Sequence, residues 1–127
     1  MPHVRGLDHL VLDVADARRS LAWYGEKLGL APERLEEWER GEAPFVSLRV
    51  DGHTIIDLLE AERTGENMNH LCLVVDPSTD LEAIVASGEW DVAVPVSVVW
   101  GAQGWGTSVY VRDPDGNVVE LRVYPEA

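Results

Sequence analysis

An internal repeat constrains this 127-residue chain more than any other feature. Residues 8–14 (DHLVLDV) match residues 69–75 (NHLCLVV), sixty-one positions later, and residues 47–50 (SLRV) match residues 108–111 (SVYV) at the same offset. In each copy a turn then leads into an apolar strand with a single acid. Since two halves of about sixty residues would each bury only a marginal core, we expect them to pack as one domain about a pseudo-twofold axis.

Each half has the pattern of a strand, a helix and three further strands, which predicts an α+β fold. Alternating apolar residues indicate strands, and Asp and Gly at the two ends of an apolar run indicate helix caps. In residues 4–62 we predict strands at 7–14, 31–40 (an edge strand), 44–50 and 54–60, and a helix from Asp16 to Gly29. In residues 67–125 we predict strands at 69–75, 92–99, 106–112 and 117–124, and a helix from Asp76 and Pro77 to Gly88.

Composition excludes several classes of function. The net charge of -13 opposes a phosphate backbone or an anionic membrane as the main partner. A single cysteine, Cys72, excludes an intramolecular disulfide and a multi-cysteine zinc site, and favours a cytoplasmic location. We expect no signal peptide and no membrane helix, because no apolar run approaches the roughly 18 residues that a membrane span needs.

Strand alternation gives four strands one metal-binding side chain each. Because residues i and i+2 share a face of a strand, His9, Asp57, His70 and Glu120 each oppose the apolar face of their own strand. The repeat matches His with His and Asp with Glu, so a pseudo-twofold axis could gather two imidazoles and two carboxylates. That donor set suits Zn, Ni, Fe, Co or Mn and leaves positions open for water and substrate. Asp57 is the weakest member, because its side chain is one methylene shorter than that of Glu.

The same alternation predicts side chains that could contact a substrate. They are Arg49, Ser108, Tyr110, Arg112 and Arg122, together with Trp105, which flanks a predicted glycine-rich loop at 100–106 with Trp100. The arginines could hold an anionic or polar group, but pairing with one of the 23 acids is the interpretation that we favour for each of them singly. We expect Cys72 to be an inert thiol, and His3 and His53 to be surface residues.

Four segments carry a resemblance to a known family: LDHLVLDVAD (7–16), WYGEKLGL (23–30), NHLCLVV (69–75) and VRDPDGNVVEL (111–121), of which DPDGNVVEL is the most specific. They resemble the vicinal oxygen chelate superfamily, which contains glyoxalase I, bleomycin-resistance proteins, fosfomycin thiol transferases and extradiol dioxygenases. The resemblance implies one glyoxalase-like domain over residues 1–127, with two βαβββ modules forming a cupped mixed sheet and the helices on its outer face. It also implies metal ligands at His9, His70 and Glu120, a small-molecule substrate and a homodimer.

The departures from the family pattern reduce the number of family activities that we expect for this chain. Asp57 stands where glyoxalase I has a glutamate, and Val11 stands where the fosfomycin transferases have a threonine. Extradiol dioxygenases are usually longer, and bleomycin-type binders lack the metal ligands. We therefore expect a metal-dependent lyase or isomerase acting on a small oxygenated molecule that chelates one divalent ion, with Glu120 or Asp57 moving a proton. The alternative is a small-molecule or drug-binding protein of the resistance type without catalysis; a dioxygenase is less favoured.

Overall fold

A computed structural model describes residues 3, 5 and 7–125 of the chain. The chain forms two compact units that divide between Asn67 and Met68. The first unit contains β1 (His9–Val14), α1 (Ala17–Leu28), β2 (Ala31–Glu33), α2 (Leu35–Glu39), β3 (Val46–Arg49) and β4 (Ile55–Glu60). Its sheet has the strand order β1-β4-β3-β2, in which β1 and β4 are parallel and the other pairs are antiparallel.

The second unit repeats this topology. It contains β5 (Leu71–Val74), α3 (Leu81–Ser87), β6 (Val92–Gly101), β7 (Gly104–Arg112) and β8 (Val118–Val123). The strand order is β5-β8-β7-β6, again with one parallel pair, β5 with β8. Two mixed sheets with the same order and directions confirm the α+β fold of paired modules that the repeat and the resemblance predict. Their union into one domain stays a prediction.

One face of each sheet supplies the core of its unit, as alternation requires. In the first unit Leu12, Leu48 and Leu58 are fully buried with Tyr24 of α1, which packs against β3 and β4. In the second unit the buried apolar residues of β7 and β8 lie at alternate positions: Val109, Val111, Val119 and Leu121. The apolar faces therefore fix the register, and the opposite faces are left for polar side chains.

The two predicted helices, α1 and α3, end where the sequence predicts, but only α1 begins there. The Asp16 side chain accepts from the backbone N–H groups of Arg18 and Arg19, and Gly29 takes the left-handed conformation that ends α1. Helix α3 begins at Leu81, because Asp80 rather than Asp76 caps it by accepting from the N–H of Ala83. Residues 76–79 form a turn instead, closed by a bond from the Thr79 N–H to the Asp76 carbonyl.

The predicted edge strand at 31–40 is wrong beyond its first three residues. Strand β2 lies at the sheet edge as expected, but the chain turns at Arg34, which has a left-handed φ of 62°, and then forms α2. The segment Leu35–Glu39 contains three Glu and one Leu, residues that favour helix over strand. Among the described residues no helix is long and apolar enough to cross a membrane.

The predicted glycine-rich loop at 100–106 is also wrong, because β6 and β7 extend into a hairpin. Trp100 pairs with Trp105 across the strands, Gly101 pairs with Gly104, and the two residues between them form the turn. The two indole rings meet edge to face at 5.2 Å, a cross-strand aromatic contact that stabilises paired strands. Residues 98–106 are called the tryptophan hairpin below.

Candidate functional site

The second unit brings His70 and Glu120 into direct contact. Glu120 lies on β8 and is 3% exposed, whereas His70 immediately precedes β5 and keeps 36% of its side chain exposed. The parallel pairing of β5 with β8 sets Cys72 beside Glu120, so His70 lies on the same face. Its Nε2 is 3.2 Å from Glu120 Oε1. One strand pair thus holds an imidazole nitrogen and a carboxylate oxygen close together.

The other oxygen of Glu120 is held by its own sheet. Ser108 Oγ donates to Oε2 at 2.7 Å, and Arg122 donates to Oε2 from Nη2 at 2.8 Å and from Nε at 3.2 Å. Burial opposes ionisation of this carboxyl, but hydrogen bonds from Ser108, Arg122 and Tyr110 outweigh it and lower the pKa of Glu120. Glu120 is therefore a carboxylate at neutral pH, with Oε1 directed at His70.

The first unit holds Asp57 in the same way with a different arginine. Asp57 is 3% exposed, and its Oδ1 accepts from Ser47 Oγ at 2.5 Å and from Arg34 Nη2 at 3.3 Å. Ser47 and Ser108 are matched by the repeat, but Arg34 comes from the turn before α2, whereas Arg122 lies on β8. Sequence reasoning missed Arg34, because it lies inside the segment predicted as strand. The one signal for it is an arginine next to a run of acids.

Both histidines are oriented by the residue that precedes them. Asp8 Oδ2 lies 2.8 Å from His9 Nδ1, and Asn69 Oδ1 lies 2.6 Å from His70 Nδ1. An oxygen acceptor at Nδ1 favours a proton on that nitrogen, which is the arrangement found around imidazoles that bind a metal through Nε2. The hydrogen bond with Asp8 also raises the pKa of His9.

A cavity of about 280 Å³ in the second unit adjoins His70 and Glu120. Its wall is formed by β5, β8 and the tryptophan hairpin, and its lining residues are His70, Cys72, Val74, Trp100, Gly101, Ala102, Gln103, Glu120, Arg122 and Tyr124. Burial and the nearby Glu120 charge raise the pKa of Cys72, which favours the protonated thiol over the thiolate at neutral pH. Burial and Glu120 also raise the pKa of Tyr110, so its phenol stays a hydrogen-bond donor.

The remaining predicted contacts are placed as follows. Arg49 pairs with Glu33 at 3.0 Å and Arg112 with Asp91 at 2.8 Å, in agreement with the acid-pairing interpretation. Trp105 lies on the tryptophan hairpin and is 61% exposed.

The four predicted metal ligands are divided between the units: His9 and Asp57 lie in the first unit, and His70 and Glu120, which contact each other, lie in the second. His3 and His53 are exposed, as expected. Over the part of the chain that the structure describes, no group of three or more His, Cys, Asp and Glu side chains could hold a metal ion. The gathering of four ligands in one site stays a prediction.

Comparisons with known proteins match nearly the whole chain. Residues 6–121 match the family model of the Glyoxalase/Bleomycin resistance protein/Dioxygenase superfamily. A virulence protein of Salmonella typhimurium is 32% identical over 122 residues, which cover 93% of this chain and 83% of that protein. An integron cassette protein of V. cholerae is 30% identical with a TM-score of 0.75, covering 98% of this chain and 99% of its own. A glyoxalase/dioxygenase from Nostoc punctiforme is 25% identical with a TM-score of 0.73, covering 96% and 92%.

Proposed function

Because the chain belongs to the Glyoxalase/Bleomycin resistance protein/Dioxygenase superfamily, we propose that it is a metal-dependent enzyme of the lyase or isomerase type. Its substrate would be a small oxygenated molecule that chelates one divalent ion through neighbouring oxygens. The ligands would be His9, His70 and Glu120, with Asp57 as a fourth or water-mediated ligand. Each unit supplies one imidazole and one carboxylate. A set of three ligands therefore needs a first unit and a second unit, either from the same chain or from two chains.

The contact between His70 and Glu120 carries this proposal. With Nδ1 protonated toward Asn69, His70 Nε2 presents a lone pair to the carboxylate oxygen Oε1 at 3.2 Å. Two lone-pair atoms at that distance repel unless a positive charge joins them, either a further proton or a metal ion. The separation suits two ligands that each bind an ion at about 2.1 Å. Imidazole and carboxylate are also donors that Zn, Ni, Fe and Mn accept.

The residues around the pair assign a role to each oxygen of Glu120. Ser108 and Arg122 occupy Oε2, so Oε1 is the oxygen that can bind an ion or exchange a proton with a bound molecule. An ion bound there would act as a Lewis acid on the substrate oxygens. The lowered pKa of Glu120 keeps it deprotonated, which is the form that could accept a proton from a carbon next to those oxygens. Asp57, fixed by Ser47 and Arg34, is the matching carboxylate of the first unit.

The adjoining cavity indicates a compact substrate. Its volume of about 280 Å³ lies just under the usual range of about 300–1,000 Å³ for ligand pockets. The Arg122 side chain in its wall is 3% exposed and bound to Glu120, so it does not offer a free cation to an anionic group. We therefore favour a substrate whose portion in this cavity is uncharged.

Metal content tests the proposal directly. His70→Ala should remove most of the metal that the protein takes up from Zn²⁺, Ni²⁺ or Mn²⁺ solutions, because too few ligands remain. His53→Ala, an exposed histidine outside the ligand set, serves as the matched control and should retain it. Elemental analysis after desalting measures both. Equal metal content in the two variants would overturn the ligand assignment. A wild-type protein that takes up none of these ions would overturn the metal-dependent enzyme and favour the alternative, a metal-free binding protein.

Cys72 offers a way to find the substrate. It is the only cysteine of the chain and it lines the cavity. A molecule that occupies the cavity should slow the reaction of the thiol with a maleimide. A screen of small oxygenated molecules, with and without metal, should identify compounds whose protection of Cys72 requires the ion. Protection by compounds with no oxygen pair, independent of metal, would count for the binding protein instead.

A further inference from the structure

The guanidinium of Arg122 is enclosed by three elements of the second unit. Besides its two bonds to Glu120 Oε2, it donates from Nη1 to the Val99 carbonyl and from Nη2 to the Trp100 carbonyl, both at 3.1 Å. The ring of Tyr124 lies 5.2 Å away, and the Tyr124 hydroxyl accepts from the backbone N–H of Gln103. One buried cation thus joins the proposed metal ligand to the tryptophan hairpin.

Two glycines of the hairpin make room for this cation. A Cβ at Gly101 would lie 2.5 Å from both Cζ and Nη1 of Arg122, and a Cβ at Gly106 would lie 2.8 Å from Nη1. Distances below 3.0 Å do not occur for a Cβ, so any other residue at Gly101 would displace the guanidinium together with the Tyr124 hydroxyl, from which that Cβ would lie 2.6 Å. By contrast, a Cβ at Gly52 in the first unit would meet nothing within 4 Å.

We infer that Arg122 is a positioning residue, and that the socket formed by Gly101 and Gly106 lets it orient Glu120 for metal binding. The inference rests on the proposed function, since it concerns the same carboxylate. By holding Oε2, Arg122 leaves Oε1 directed at His70 Nε2. Its bonds to Val99 and Trp100 make that orientation depend on the hairpin, which is also a wall of the cavity.

The first unit shows that the carboxylate could be held in another way. At the repeat offset of Glu120 and Asp57, the counterpart of Arg122 is Leu59 on β4, and Asp57 is held instead by Arg34 from the turn before α2. Removing a hydrogen-bond partner of a ligand typically weakens metal binding by about 10- to 100-fold. If Arg122 had only a structural role, displacing it would lower the stability of the protein and leave the metal affinity of the folded protein unchanged.

The test compares Gly101→Ala with Gly52→Ala, because both change glycine to alanine and only the first reaches Arg122. Titration calorimetry with Zn²⁺ alone measures the affinity of the full-length chain, and thermal unfolding without metal measures stability. We expect Gly101→Ala to bind Zn²⁺ at least about 10-fold more weakly than wild type, and Gly52→Ala to bind as wild type does. Gly106→Ala approaches the guanidinium from a second strand and should weaken binding in the same direction, which covers the case in which Gly101→Ala does not fold.

A second comparison shows whether the effect passes through Arg122. In an Arg122→Met background the guanidinium that Gly101→Ala would displace is absent. Adding Gly101→Ala to this background should therefore change the Zn²⁺ affinity by less than about 2-fold. Equal affinities for folded Gly101→Ala and Gly52→Ala would overturn the inference while leaving the proposed function intact. No binding of Zn²⁺ by wild type, Gly52→Ala and Gly101→Ala alike would overturn both.

Discussion

Each of the four proposed metal ligands has a neighbouring side chain that orients it. Asp8 and Asn69 orient the two histidines, and Ser47 and Ser108 orient the two carboxylates. Partners of this kind fix the ring and carboxylate orientation that a metal ligand needs. The repeat preserves the function of each partner, although Asn replaces Asp beside the second histidine.

The Asp8 carboxylate changes the pH at which His9 loses its proton. The hydrogen bond raises the pKa of His9 above its ordinary value of 6.5. The stabilisation from this raised pKa is fully present below pH 6.5 and is lost as the pH rises through the folded-state value. Metal binding at His9 requires loss of the same proton, so uptake should increase with pH over that interval.

Asp8→Asn should therefore lower the pKa of His9 toward 6.5, as followed by the pH dependence of its imidazole NMR signals. Asp13→Asn removes the same charge from β1 without touching the ring and should leave the titration near that of the wild-type protein. If the two substitutions shift the His9 signals equally, the hydrogen bond with Asp8 is not the cause.

The site residues that the sequence predicts lie within regular strands or, for His70, directly before one. Alternation along β4 and β8 is enough to place Asp57 and Glu120 opposite the apolar core, and the repeat links them to Ser47 and Ser108. Arg34 could not be found in this way, because it acts from a turn whose left-handed backbone has no periodic signal. The pairing of Arg122 with Glu120 was also not predicted, since it depends on the space left by Gly101 on β6 and Gly106 on β7.

At the scale of elements, the sequence-based boundaries are wrong where neighbouring residues favour two different local structures. The Glu-rich segment after β2 has the residue preferences of a helix, and the apparent loop between Trp100 and Trp105 has the aromatic pair of a hairpin. At the start of α3 two acids, Asp76 and Asp80, compete for the N-cap. Asp80 is the cap because its side chain reaches the N–H of Ala83.

The cap assignment predicts different stabilities for two similar variants. Asp80→Ala should lower the free energy of unfolding by about 1 kcal/mol, because it removes the acceptor for the N-terminal N–H of α3. Asp76→Ala, an exposed acid whose backbone carbonyl alone closes the preceding turn, should change it by less than about 0.5 kcal/mol. Urea unfolding followed by far-UV circular dichroism measures both. A larger loss for Asp76→Ala would place the helix start where the sequence alone suggested.

For the whole molecule, the repeat predicts the topology better than it predicts the assembly. Matched segments imply matched sheets, and the orders β1-β4-β3-β2 and β5-β8-β7-β6 are the same order in both units. The repeat carries no information on whether a first unit completes its ligand set with the second unit of its own chain or of another chain. Each unit has two donors, so either choice gives the same count.

We propose the homodimer with shared sites, in which His9 and Asp57 of one chain act with His70 and Glu120 of the other. Symmetric dimers contain two equivalent sites. In that arrangement a His9→Ala chain paired with a His70→Ala chain has one site with both histidines and one site with neither. Neither variant alone should hold metal.

Unfolding the two variants together and refolding the mixture should then restore metal to about a quarter of the sites, because about half of the dimers are mixed and each has one intact site. Light scattering at micromolar concentration establishes the dimer, and elemental analysis measures the metal. Mixing His70→Ala with Glu120→Ala is the matched control: both losses fall in the second unit, so no site has His9, His70 and Glu120 together. A monomer, or a mixture that regains no more metal than this control, would rule out sites shared between chains.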